Sequence, residues 1–307
     1  MKTISSEDVD FLKFLGTQES QFIQSKQFWA DEVKEYMEQG AKIFGDELPW
    51  PKTRDIVRLR PGEVSLWAGV NGHGKSVISG MVALWLSPKT PVLIASLEMK
   101  PRATLARMIR QAYGVNRVRP EEIDEFLQFK TDGMYIYDQV DTVSHDRILG
   151  MVHYAAQELG VKHVFIDSLM KCGIGSDDYN GQKSFVDRLC WAAKAEDIHV
   201  HLILHMRKGR SESETPGKFD VKGASEITDL VDNLFIVHRN KDKEEAISNG
   251  QVPPLEDPDA LLTVAKQRHG EWEGPIKLWF HQSSLQYLES PNGITMNFWR
   301  QAVENLK

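Results

Sequence analysis

The sequence predicts an α/β chain, with a mostly parallel central sheet flanked by helices and antiparallel strands added at its edge. Three observations predict this. From residue 64 to about 205, short apolar runs alternate with amphipathic stretches, the pattern of strands joined by crossover helices. Beyond that region the apolar runs lie closer together, at the spacing of hairpins. Between the first apolar run and the helix-like stretch after it stands "GVNGHGKS", residues 69–76, which concentrates glycine in front of a lysine.

The elements follow in order. Phe11, Leu15, Phe22, Trp29, Val33 and Tyr36 recur at helical spacing in a polar background, and "GDELPWPKT" ends the pattern. This predicts a helical arm over residues 1–48, a main domain over 49–290 and a tail over 291–307. "VSLWAG" is the first strand and "SVISGMVALWL" the helix after the glycine loop. Strands "PVLIASLE", "MYIYD", "HVFID" and "VHLILH" then alternate with helices "RATLARMIRQAYG", "HDRILGMVHYAAQELG" and "FVDRLCWAAKAED". "DNLFIVHR", "ALLTVAKQR", "IKLWFH" and "SLQYLE" are expected as the antiparallel edge, with "NKDKEEAISNGQVPPLEDPD" as an exposed acidic loop and "MNFWRQAVENLK" as a short amphipathic helix.

Composition sets bounds. With 307 residues and 41% hydrophobic content the chain can bury a substantial core. Its 37 Lys and Arg against 44 Asp and Glu give a net charge of -7, so contact with nucleic acid must come from local basic loops. Cys172 and Cys190 lack metal-ligand spacing, which leaves two free thiols suited to a reducing compartment. The longest apolar runs are too short for a bilayer and the N-terminus is too acidic for a signal peptide, so a cytoplasmic protein with no membrane partner is expected.

The glycine stretch satisfies G-x-x-x-x-G-K-[ST] through Gly69, Gly74, Lys75 and Ser76. Glycines let backbone N–H groups curl around phosphate oxygens, and the helix that starts there adds its positive dipole end. Gly69, Asn71, Gly72, His73, Gly74, Lys75, Ser76 and Val77 are therefore the expected nucleotide-binding residues. Lys75 is expected at the β- and γ-phosphates and the Ser76 hydroxyl at Mg²⁺. The ligands implied are ATP, or another NTP or dNTP, with Mg²⁺. Asp167 closes the apolar run "KHVFIDS", where a carboxylate can hold the metal from its other side. Glu98 ends another apolar strand, expected beside the strand that enters the glycine loop, and is read as a general base for the attacking water. His205 ends "HLILH" and is either a sensor of the γ-phosphate or a satisfied structural histidine.

Taken in order, these residues resemble the RecA-like motor domain of hexameric replicative DNA helicases, including bacterial DnaB, phage primase-helicases and mitochondrial Twinkle. "RPGEVSLWAGVNGHGKS" is similar to the family's Walker A segment, "SLEM" to the string carrying its catalytic glutamate, "VFIDSL" to its Walker B and "LILHMRK" to its sensor strand. "DVKGASEITDLVDNLFIVHR" and "LLTVAKQRHGEWEG" resemble two later motifs. The resemblance implies a RecA-like P-loop NTPase that moves 5′ to 3′ on single-stranded DNA as a ring of identical subunits, a hexamer in the family. It also implies that Lys266 and Arg268 reach a neighbouring subunit's nucleotide, and that the arm grips the adjacent protomer. Loops 171–184 and 207–223 would line the DNA channel, with Arg207, Lys208 and Lys222 as phosphate contacts.

About fifty residues precede the motor, which suits a motor-only form of phage type working in a host cytoplasm beside a separate primase, polymerase or loader. The same motifs leave open a RecA/RadA-like recombination ATPase and a nucleotide-gated loader or scaffold that does not unwind.

Overall fold

The computed structural model describes residues 25–39, 44–128, 133–175, 177–206 and 225–298. The chain divides into two compact units, Met1–Phe44 and Gly45–Lys307. In the first, helix α1 spans Ala30–Gln39. Trp29, Val33 and Met37 recur every fourth residue along it and are exposed, and Phe28 meets Trp29 edge-on at 5.0 Å. The expected arm positions Phe11, Leu15 and Phe22 lie outside the described residues, as does the tail beyond residue 298.

The second unit carries β1 (Val64–Gly69), β2 (Val92–Ser96), β3 (Met134–Ile136), β4 (His163–Asp167), β5 (His199–His205), β6 (Asn233–Arg239), β7 (Ala260–Gln267), β8 (Gly274–His281) and β9 (Gln286–Leu288). Its helices are α2 (Lys75–Leu86), α3 (Pro101–Tyr113), α4 (Pro120–Gln128), α5 (His145–Leu159), α6 (Tyr179–Ala195), α7 (Ser225–Leu230) and α8 (Lys241–Ser248). The strands form one sheet in the order β3-β2-β4-β5-β1-β6-β7-β8-β9. The neighbours from β3 to β6 are parallel, and the pairs from β6 to β9 are antiparallel.

The pattern of side chains explains this architecture. β1, β2 and β4 are buried at every position, as unbroken apolar runs require when helices cover both faces. On one face Val64, Leu66 and Ala68 join Ile148 and Val152 of α5 and Leu189 of α6. On the other, Trp67 joins Ile78 and Met81 of α2 and Met108 of α3. β7 instead alternates between buried and half-buried residues over most of its length, the signature of an edge with one covered face.

Three expectations change. β2 does not neighbour β1; β4 and β5 stand between them, because the order of parallel strands is set by how crossovers pack and not by sequence adjacency. β6 pairs in parallel with β1, so the antiparallel edge begins one strand later. The expected acidic loop opens with α8, whose start is capped when Asn240 Oδ1 accepts the Lys243 N–H at 3.0 Å. The stretch 120–128, outside the elements read from the sequence, forms α4, which opens with Pro120, Glu121 and Glu122, residues favoured in a first helical turn.

A buried polar chain ties segment 45–60 to the sheet. Trp67 Nε1–H donates to His201 Nδ1 at 3.2 Å, His201 Nε2 meets His163 Nδ1 at 3.2 Å, and His163 Nε2 meets Asp46 Oδ2 at 3.0 Å. An indole only donates, so a neutral His201 carries its proton on Nε2, and each donor then finds an acceptor out to the carboxylate. Beside it His199 joins Ser65 Oγ at 2.7 Å and Arg60 O at 2.6 Å. Burial lowers the His199 pKa to about 3 and that of His201 well below the ordinary range, so both stay neutral hydrogen-bonding groups.

Candidate nucleotide-binding and hydrolysis site

The site forms where β1, β2, β4 and β5 end on the same edge of the sheet. β1 leads into the glycine loop and α2 leaves it. Two glycines there are required by space as well as conformation. A Cβ on Gly69 would strike the Val237 carbonyl of β6, and Gly74, with φ of 91°, lies directly beneath the Tyr287 hydroxyl. An L side chain at Gly74 would meet both the left-handed strain and the tyrosine.

A cavity of about 870 Å³ opens over the loop, lined by Asn71, Gly72, Gly74, Lys75, Ser76 and Val77, a volume in the range that takes a nucleotide. The His73 side chain turns away from it. Its Nδ1 accepts the Arg239 N–H at 3.2 Å and its ring packs 5.3 Å from His238, so this expected binding residue braces the loop from behind. Lys75 is buried and donates to Gly69 O at 2.8 Å and Val70 O at 3.1 Å. Burial lowers its pKa to about 8, against the opposing pull of Asp167 and Glu98.

Asp167 closes β4 and is held by the Ser76 hydroxyl, while burial raises its pKa. Its Oδ1 is buried without a hydrogen-bond partner. A hydroxyl and a carboxylate with unused acceptor capacity thus face one another beside the loop, the hard-oxygen donor set that Mg²⁺ takes. Among the described residues no cluster of His, Cys, Asp and Glu could hold a metal by itself, so Ser76 and Asp167 would share such an ion with phosphate.

Glu98 lies two residues past β2, yet it reaches this group through β4 and β5. Its Oε1 accepts from Ser168 Oγ at 2.7 Å and lies 3.1 Å from His205 Nε2. The His205 contact, then Ser168, lowers the carboxyl pKa to about 2. A carboxylate held low in this way is ionised at neutral pH and can accept a hydrogen bond from an attacking water. It can orient and polarise. His205, the last residue of β5, joins Glu98 to that strand, and the chain beyond Met206 enters the segment that carries Arg207, Lys208 and Lys222, which lies outside the described residues.

Further lining residues escaped sequence reasoning. Arg107 of α3 borders the cavity, with burial lowering its pKa against the pull of Asp167. At the far side Arg239 lies 5.6 Å over the Phe280 ring, and Phe280 packs 4.9 Å from the buried Tyr287, so a cation and a half-buried aromatic ring border the cavity there. Of these, only the arginine closing its strand gave a local signal.

The structure does not bring Lys266 and Arg268 into this cavity. They lie at the end of β7, which pairs with the start of β6, on the edge of the sheet opposite the glycine loop. Lys266 Nζ caps α7 through the Thr228, Asp229 and Val231 carbonyls at 2.8, 3.0 and 2.7 Å.

A cradle at the C-terminal edge of a parallel sheet, a lysine inside it and a carboxylate with a hydroxyl beside it define a P-loop nucleoside triphosphatase fold. The chain belongs to the AAA domain family, whose model matches residues 45–211. It is 24% identical over 234 residues to the chloroplastic/mitochondrial Twinkle homolog protein of Arabidopsis thaliana, a match covering 69% of this chain and 33% of that protein. The chain thus spans about a third of the length of that relative. In fold it is similar to the ATPase domain of G40P, with a TM-score of 0.73 at 17% identity over 86% of this chain and 98% of that one. A DnaB-like replicative helicase, solved with its interactions with primase, gives a TM-score of 0.72 at 15% identity over 90% of this chain and 70% of that one. The fold is that of DnaB-like helicase ATPase domains.

Proposed function

We propose that this chain is the motor of an NTP-driven hexameric replicative DNA helicase, translocating 5′ to 3′ on single-stranded DNA and unwinding duplex. The observation that carries the reading is the separation of the two halves of a hydrolysis site. Lys75, Ser76, Glu98 and Asp167 gather at one edge of the sheet, while Arg268 stands part-exposed at the other. An arginine that cannot reach its own nucleotide can serve a neighbour's, and a head-to-tail interface repeated in this way closes a ring.

In this reading Gly69 to Val77 bind the triphosphate of ATP or another NTP. Ser76 and Asp167 hold Mg²⁺, which supplies charge neutralisation at the phosphates. Glu98 orients the attacking water and Arg268 of the next subunit stabilises charge on the transferring group. Arg239 and Phe280 border the place of the base. His205 links Glu98 to the segment carrying Arg207, Lys208 and Lys222, which would contact DNA phosphates in the channel. The arm holds the adjacent protomer, and a primase, polymerase or loader completes the assembly.

The test is the ATPase rate against protein concentration, with and without single-stranded DNA, beside the assembly mass with a non-hydrolysable nucleotide. The reading expects a cooperative rise, stimulation by DNA and the mass of a six-subunit ring. A monomer whose hydrolysis ignores DNA would end it.

A further inference from the structure

Asp232 stands at the head of β6 with its carboxyl buried, its side chain 3% exposed. A buried carboxylate is costly unless both oxygens are engaged, and here each has one task. Oδ2 accepts the Val64 N–H at 2.9 Å and Oδ1 lies 3.1 Å from Arg268 Nε. The backbone repeats both attachments. Asp232 N–H donates to Val64 O at 3.0 Å and Arg268 N–H donates to Asp232 O at 2.9 Å. Arg268 also donates from Nη2 to Leu230 O at 3.2 Å, while its side chain remains 39% exposed.

A surface arginine carries many rotamers and loses most of its reach to entropy when it must find a target. This one is fixed along one side of its guanidinium and open along the rest. We propose that Asp232 is the positioning residue for Arg268, holding the guanidinium outward for an anionic group, the phosphates of a nucleotide bound by a second copy of this chain. The mount has a second consequence. Val64 opens β1, the strand that ends at Gly69 in this chain's own glycine loop. Lys266 spends its ammonium on the carbonyls that end α7, and α7 follows directly on the segment holding Lys208 and Lys222. The arginine offered to a neighbour is therefore anchored to two elements that also bear on the chain's own nucleotide and on the proposed DNA loop. This rests on the reading that Arg268 acts on a neighbouring subunit's nucleotide.

Asp232→Asn keeps an oxygen for the Val64 N–H and removes the charge facing Arg268. At saturating single-stranded DNA its kcat is expected to fall about 10- to 100-fold, less than the roughly 1,000-fold expected of Arg268→Ala. Nucleotide affinity should stay within about twofold. The double variant should be no slower than Arg268→Ala alone, since Asp232 would act only through that side chain. A structural role would instead add its loss to that of Arg268→Ala. Additive losses, or an Asp232→Asn rate within twofold of wild type while Arg268→Ala is impaired, overturn the proposal and leave the trans reading standing. No effect of Arg268→Ala overturns that reading itself. Should Asp232→Asn prove unstable on thermal melting, Arg268→Lys gives the same test. It keeps the charge and loses the Nε contact, and activity within twofold of wild type would overturn the proposal.

Discussion

Lys75 gives the site a pH dependence that can be worked from its burial. In the nucleotide-free protein its pKa is about 8 against the ordinary 10.5. A triphosphate placed beside the ammonium favours the charged form and raises that pKa again, so above pH 8 binding must take up a proton. The charged fraction is about nine-tenths at pH 7 and about one-tenth at pH 9, so affinity should fall roughly tenfold, about 1.4 kcal/mol, over that interval. The sign for folding is opposite. The buried ammonium costs stability below pH 8, and that cost is relieved as pH rises from about 8 toward 10.5. Titration with a fluorescent non-hydrolysable nucleotide from pH 7 to 9.5 reads the affinity. Calorimetry in two buffers of different ionisation heat reads the proton, approaching one taken up per site at pH 9. Lys75→Arg, charged throughout, should bind with a flat profile. An equally flat wild-type profile without proton uptake would refute the account of the buried lysine.

Glu98→Gln should keep nucleotide affinity and lose about 100- to 1,000-fold in turnover, since an amide orients water poorly; normal turnover would remove Glu98 from the reaction. Arg268→Ala should be inactive alone and, mixed with wild type, should lower the rate beyond its share of subunits, read from ATPase titrations of mixtures. Lys208→Ala with Lys222→Ala should leave basal hydrolysis near wild type while weakening single-stranded DNA affinity and the slope of its salt dependence; unchanged DNA affinity would refute the channel assignment. Gly74→Ala should lower folding stability by about 1–3 kcal/mol through left-handed strain and the Tyr287 hydroxyl, read by thermal melting.

What the sequence determined by itself was local. The strand, glycine loop and helix from Val64 to Leu86 could be read residue by residue, because backbone curl and side-chain periodicity are properties of neighbouring residues. Asp167 and His205 were legible as the ends of apolar strands for the same reason. Even Glu98 could be picked out, although its neighbour in the sheet was misassigned. Tertiary structure decided what those residues meet. Glu98 meets Ser168 and His205, which the chain reaches much later, and those contacts hold its carboxyl low. The His73 side chain, inside the glycine motif, turns inward to β6. The chain from Asp46 through His163 and His201 to Trp67, and the mount of Arg268 on Asp232, left no periodic trace. A crossover sheet brings together residues from a few dozen to more than a hundred positions apart, and no local window records which strands will be set side by side.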